Sequence, residues 1–207
     1  MPLTHWLAFV ITAIVVILFP GPTVLTVIGY SATHGRRATL PLVAAVGLGD
    51  TIAASFSLLG LGALLQASAF WFTVLKLCGG LYLIYLGVKS LRAGLTKAEV
   101  VRPKQLSGSR LFTNTVLVTS LNPKTITFFV AFLPQFVYGK NHVIEQLWLM
   151  AATFVVLATL NAANYATFAA TVGRWLTTPR AQRGFHLTGG SILTAAGTWA
   201  LLAKRHA

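Results

Sequence analysis

The chain has 207 residues, of which 56% are hydrophobic and only 9% charged. A soluble domain carries roughly a quarter charged residues, so this chain has too little polar surface to face water all round, and lipid must be its solvent. The formal charge of +13 would suggest a nucleic-acid partner in a soluble protein, but its distribution along this chain assigns it to membrane topology instead.

Six apolar segments follow one another, near residues 5–33, 38–66, 69–91, 111–138, 145–173 and 186–203. About 20 residues are needed to cross the hydrocarbon core as a helix, so most have room for tilt or a break. The runs are continuous rather than alternating, which excludes the strands of an outer-membrane barrel. The expectation is a single all-α polytopic membrane domain over residues 1–207, with six transmembrane helices.

Ahead of the first segment stand only His5 and the α-amino group, with no Lys or Arg. That argues for a retained first span rather than a cleaved signal peptide. Within it, "ILFPGPTVL" places Pro20, Gly21 and Pro22 in mid-run. Proline removes its own N–H and blocks the bond to the fourth residue back, and lipid offers the freed carbonyls no partner. The motif is therefore either a packing kink or a break from which a new half-helix runs on at Thr23, with Pro22 suited to its first position.

The second segment holds Asp50, one of three acids with Glu99 and Glu145, and the only one deep in a span. It lies roughly 20 Å along a helix from Arg37. A carboxylate at that depth is a functional candidate by default. Its open roles are pairing with a substrate ammonium, carrying a coupling proton, or pairing with Lys124. In the third segment Lys76, close to Trp71, is expected to snorkel outward. The lone Cys78 can form no intramolecular disulfide and disfavours a thiol carrier.

The fourth segment carries "SLNPKTITFF". Asn122 is a favoured N-cap, Pro123 suits the first helical position, and Lys124 is expected to lie deep. In the fifth, Ala158, Ala162, Ala166 and Ala170 recur every four residues as a stripe for close packing. Asn161 and Asn164 flank the stripe, and either line a cavity or hydrogen-bond across helices. The sixth is the shortest and is rich in glycine. His5, His34, His142, His186 and His206 are all expected at span ends.

The basic residues divide unevenly. Arg36 and Arg37 follow span 1; Lys89, Arg92, Lys97, Arg102, Lys104 and Arg110 follow span 3; Arg174, Arg180 and Arg183 follow span 5. The opposite side holds Lys140, Lys204 and Arg205. The positive-inside rule then puts both termini outside and the basic loops in the cytoplasm, against anionic lipid. Nucleic acid is not needed.

An internal repeat runs through the chain. "KLCGGLYLIYLGVKSL" from Lys76 matches "HLTGGSILTAAGTWAL" from His186, pairing Gly79 and Gly80 with Gly189 and Gly190, and Gly87 with Gly197. Asp50 falls on Asn161, and Pro22 has a counterpart in Pro123. Three spans per half make the halves inverted, the first over about 1–92 and the second over about 111–203, joined by the basic loop at about 93–110. Inverted repeats with breaks in helices 1 and 4 point to the mid-membrane site of a secondary transporter. Two half-helix N-termini meeting there would cradle an anionic group such as a carboxylate.

Other classes fit less well. An intramembrane enzyme needs a nucleophile–base pair or a metal cluster at depth, and no histidine sits deep. A metal or cation exporter wants several hard ligands. Asp50 with Asn122, Asn161 and Asn164 is a meagre set for that, and Lys124 would repel a cation.

The motifs "FPGPTVLTVIGYSATHGRRA", "GLGDTIAASFSLLGLGALL", "LKLCGGLYLIYLGVKSLRAG" and "LNPKTITFFVAFLPQF" resemble the LysE/RhtB family of amino-acid exporters over nearly the whole chain. The resemblance implies a bacterial inner-membrane protein that exports amino acids in exchange for protons, without a cofactor. Its expected partners are the amino acid, protons and membrane lipids, with homo-oligomerisation left open. The motif positions it marks are Pro20, Gly21, Pro22, Asp50, Asn122, Pro123 and Lys124. Thr23, Asn161 and Asn164 complete the expected substrate site, with Asp50 for proton coupling.

Overall fold

The computed structural model describes residues 1–18, 21–67, 69–95, 107–139, 141–176 and 178–202. They form eight α-helices: α1 (Leu3–Leu18), α2 (Pro22–His34), α3 (Thr39–Ala67), α4 (Ala69–Leu95), α5 (Gly108–Ser120), α6 (Pro123–Thr127), α7 (Val143–Leu176) and α8 (Pro179–Leu202). No strand occurs among the described residues. The all-α polytopic architecture expected from hydropathy is what the chain adopts. At 1.5 Å per residue, the 29 residues of α3 and the 34 of α7 exceed the roughly 30 Å of a hydrocarbon core.

The first and fourth apolar segments are each interrupted. α1 stops at Leu18, Gly21 is extended, and α2 starts at Pro22. Likewise α5 stops at Ser120 and α6 starts at Pro123 behind the N-cap Asn122. Past α6 the backbone loosens into a π-helical turn at Phe128–Phe132 and then a 3₁₀ turn at Leu133–Phe136. Gly35, at φ 65°, closes α2 in the left-handed region that a side chain would disfavour.

Two boundaries depart from hydropathy. α7 continues to Leu176, and α8 begins at Pro179 rather than near 186. Arg180 and Arg183 make the first turns of α8 read as loop, whereas Pro179 is at home in a first turn, where its missing N–H is not required. His186 therefore lies inside α8 and not at a span end. It is half-buried, and Ser90 Oγ donates to its carbonyl at 3.0 Å.

α7 is the central post. Phe154, Ala158, Ala162 and Ala166 are buried along one face, against α1, α2 and α3. The alanine stripe thus does what its spacing foretold at the three positions whose side chains are described; Ala170 lies outside them, as do the side chains of Lys76 and Trp71.

α4 and α8 pack antiparallel through glycine. A Cβ at Gly80 would lie 2.7 Å from Leu201 Cδ2 and 3.2 Å from the Gly197 carbonyl. One at Gly190 would lie 2.7 Å from Leu91 Cγ and 2.7 Å from the Gly87 carbonyl. Gly87 abuts Thr194, and Gly197 abuts Ile84. Each of these contacts becomes another when positions 110 apart are exchanged.

Candidate functional site

The two helix breaks close on each other. Asn122 Oδ1 accepts from the Lys124 backbone N–H at 3.1 Å, capping α6 as its residue type predicts. Its Nδ2 donates at 3.0 Å to Thr23 Oγ1, in the first turn of α2. In the other direction the Lys124 side chain lies over the first break, and a Cβ on Gly21 would meet its Cδ at 3.3 Å and its Nζ at 3.7 Å. A side chain there would sit tightly against that lysine, which would have to give by a few tenths of an ångström. Positions 101 apart again exchange these contacts, Thr23 with Asn122 for Lys124 with Gly21.

The carbonyls freed at the end of α1 are met from α7. Asn161 Nδ2 donates to the Ile17 carbonyl at 3.3 Å, and Tyr165 Oη donates to the Leu18 carbonyl at 2.9 Å. A break in a membrane helix survives only where such partners exist.

Between the breaks lies a cavity of about 40 Å³. Its polar lining is Thr23, Asp50, Asn122, Lys124, Thr125 and Asn161, with Gly21 beside them, and its apolar lining includes Ile17, Val24, Val27, Val46, Phe154 and Ala158. Asp50 is 3% exposed and Lys124 7%, so both ionisable groups are withdrawn from bulk solvent, and each acts electrostatically on the other. A water needs roughly 10–15 Å³, and small-molecule pockets begin at ~300 Å³. The cavity as it stands has room for little more than water, and admitting an organic solute requires it to widen.

Most residues singled out in the sequence come together here: Gly21, Thr23, Asp50, Asn122, Lys124 and Asn161 line one cavity. Pro22 and Pro123 open the two half-helices beside it. Pro20 lies outside the described residues. Asn164 is elsewhere, on the exposed side of α7, because three residues from Asn161 is a rotation of about 300° that carries it off the stripe. Sequence reasoning missed Tyr165 and Phe154. Their spacing could have found them, since 154, 158, 161, 162 and 165 recur at the helical period on one face.

Beyond Phe154 the cavity is closed by aromatic rings. Phe154 stands 4.9 Å from Phe128 and 5.0 Å from Phe129, ring centre to ring centre, and Phe128 stacks on Phe132 at 5.9 Å. Toward the opposite end the closure is aliphatic, by Val27 and Val46 against Ala162 and Ala166.

A profile of the LysE type translocator family matches residues 14–204. The homoserine/homoserine lactone efflux protein of Salmonella typhimurium is 31% identical over 204 residues, covering 98% of both chains. The leucine efflux protein of Salmonella choleraesuis is 28% identical over 158 residues, covering 75% of this chain and 74% of its own. No solved structure matches. The chain belongs to the LysE type translocator family.

Proposed function

We infer that this translocator exports neutral amino acids from the bacterial cytoplasm across the inner membrane, in exchange for protons. The observation that carries the reading is one buried acid and one buried base, Asp50 and Lys124, lining a single cavity at the meeting of two helix breaks. A zwitterionic α-amino acid presents the complementary pair. Its carboxylate suits Lys124 and the N-terminal turn of α2, which has no side-chain cap and whose partial positive charge favours an anion. Asp50 takes the ammonium or a proton, and competition between the two at one carboxylate would couple them.

One charge of each sign is spent on the α-substituents. A lysine or glutamate side chain would bring a third charge against Val24, Val27 and Val46, where desolvation without a partner is costly. One relative is named a homoserine/homoserine lactone efflux protein and the other a leucine efflux protein, and homoserine and leucine belong to this substrate class. The reciprocal contacts between α4 and α8 and between the two breaks favour inverted repeats, and the basic loops favour both termini outside.

The test is uptake into everted vesicles of labelled alanine, homoserine, leucine, lysine and glutamate under an imposed pH gradient, acid inside. Neutral substrates should accumulate and collapse when the gradient is dissipated. Uptake of none of them, or equal uptake of lysine and glutamate, overturns the reading.

A further inference from the structure

Of the four α7 residues that line the cavity, Ala158, Asn161 and Ala162 are short and Phe154 alone is bulky. Its ring is 2% exposed, and its far side rests against Phe128 and Phe129. The ring is thus a wall backed by other rings, and cannot turn aside without moving them. One turn away Ala158, which lies on the same face, leaves room beside that wall. The segment that backs the wall is itself unusual, since Phe128 and Phe129 open the π-helical turn, a geometry that occurs mostly as single turns at functional sites.

We propose that Phe154 is the residue that sets the upper size of the transported side chain, with Ala158 providing the room beneath it. The inference rests on the amino-acid exporter reading and adds its size limit. An amino acid held by its α-groups between Asp50 and Lys124 points its side chain at the apolar wall. Each methylene beyond the available space must displace a buried ring stack. Discrimination of this kind is worth about 10–200-fold per methylene in an apolar pocket.

Two opposite substitutions test this in proteoliposomes, by counterflow of labelled alanine, homoserine, leucine and phenylalanine. Phe154→Ala should raise the ratio of phenylalanine to alanine transport by roughly tenfold or more, and Ala158→Val should lower the ratio of leucine to alanine by a similar factor. Phe154→Leu, which keeps an apolar filling, should shift the first ratio the same way by less, and carries the test should the alanine variant fail to reconstitute. Leu42→Ala removes a buried side chain from a separate apolar cluster with Tyr30, Ala38 and Leu111, which lines neither the cavity nor the ring stack. It should lower the melting temperature and leave both ratios as in the wild type. Ratios unchanged in the Phe154 and Ala158 variants, with all substrates falling together, overturn the proposal and leave the exporter reading standing. Wild-type protein that carries none of the four overturns the exporter reading itself, and the size limit with it.

Discussion

Asn122 Nδ2 donates a 3.0 Å hydrogen bond to Thr23 Oγ1, so the cap of one half-helix grips the first turn of the other across 99 positions of sequence. The same side chain caps α6 through its oxygen, and the two functions separate by substitution. Asn122→Ser keeps a capping acceptor but is too short to do both. It should retain the stability that Asn122→Ala loses, about 1 kcal/mol for the cap, yet share the transport defect. Melting temperature in detergent and counterflow in liposomes, measured on both variants, check this. A serine variant with wild-type transport would mean that the bond between the breaks is dispensable.

Tyr165→Phe and Asn161→Leu each strip the end of α1 of one partner, at the Leu18 and the Ile17 carbonyl respectively. An acceptor left unsatisfied in lipid costs on the order of 1–3 kcal/mol. Asn161 also lines the cavity while the Tyr165 hydroxyl does not touch it, so the two should part company in kinetics. Asn161→Leu should lose both affinity and rate, whereas Tyr165→Phe should lose stability with substrate affinity retained. Titration of substrate protection against thermal unfolding distinguishes them.

The breaks were legible in the sequence because proline and glycine act through the backbone, and "PGP" and "NPK" each interrupt the helical hydrogen bonding, leaving a kink or a break. Asp50 and Lys124 stood out because charge is scarce in an apolar chain. Asn122 declared itself as a cap. The apolar wall was less legible. Phe154 is one of 13 phenylalanines, and its helical spacing places it on the buried face of α7 without separating a ring that lines a cavity from one in the core. Asn164 failed to join Asn161 because proximity in sequence is not proximity on a helix face. The start of α8 was obscured because its first turns carry arginines, and hydropathy reads exposed helix as loop.

The α4–α8 contact depends on the absence of side chains. Gly87→Ala would push a methyl into Thr194 and to within 2.7 Å of the Gly190 carbonyl, and Gly190→Ala would do the reciprocal. Overpacking of this kind costs typically about 1–3 kcal/mol. Gly60→Ala meets nothing within 4 Å and should be neutral or stabilising by up to ~1 kcal/mol through helix propensity. Thermal unfolding of the three variants in one detergent checks the order. Equal melting temperatures would mean that α4 and α8 separate at no cost.

The basic loops predict the orientation of the bundle in the membrane. Ser107 is exposed at the start of α5, at the edge of the most basic loop. In a Cys78→Ser background, which removes the native thiol, Ser107→Cys should react with a membrane-impermeant maleimide in everted vesicles and stay silent in intact cells. Labelling in intact cells would reverse the orientation, and with it the direction of transport that the reading assigns.

Asp50→Asn should abolish net export while leaving the protein inserted, because it keeps size and hydrogen bonding but removes the charge and the titrating proton. Asp50 and Lys124 share one cavity, so three mechanisms give three outcomes. A proton carrier predicts loss of gradient-driven uptake with exchange of substrate for substrate preserved. An anchor for the substrate ammonium predicts that both fall together, with weakened binding. A pure counter-charge predicts destabilisation, since breaking a buried pair costs about 3–5 kcal/mol, and rescue of stability and transport by adding Lys124→Gln. If Lys124 instead holds the substrate carboxylate, the double variant regains stability but no transport. Uptake with and without a pH gradient, exchange, and melting temperature on the single and double variants separate these cases. Wild-type rates in Asp50→Asn would remove Asp50 from the mechanism and with it the pairing of one acid and one base on which the exporter reading stands.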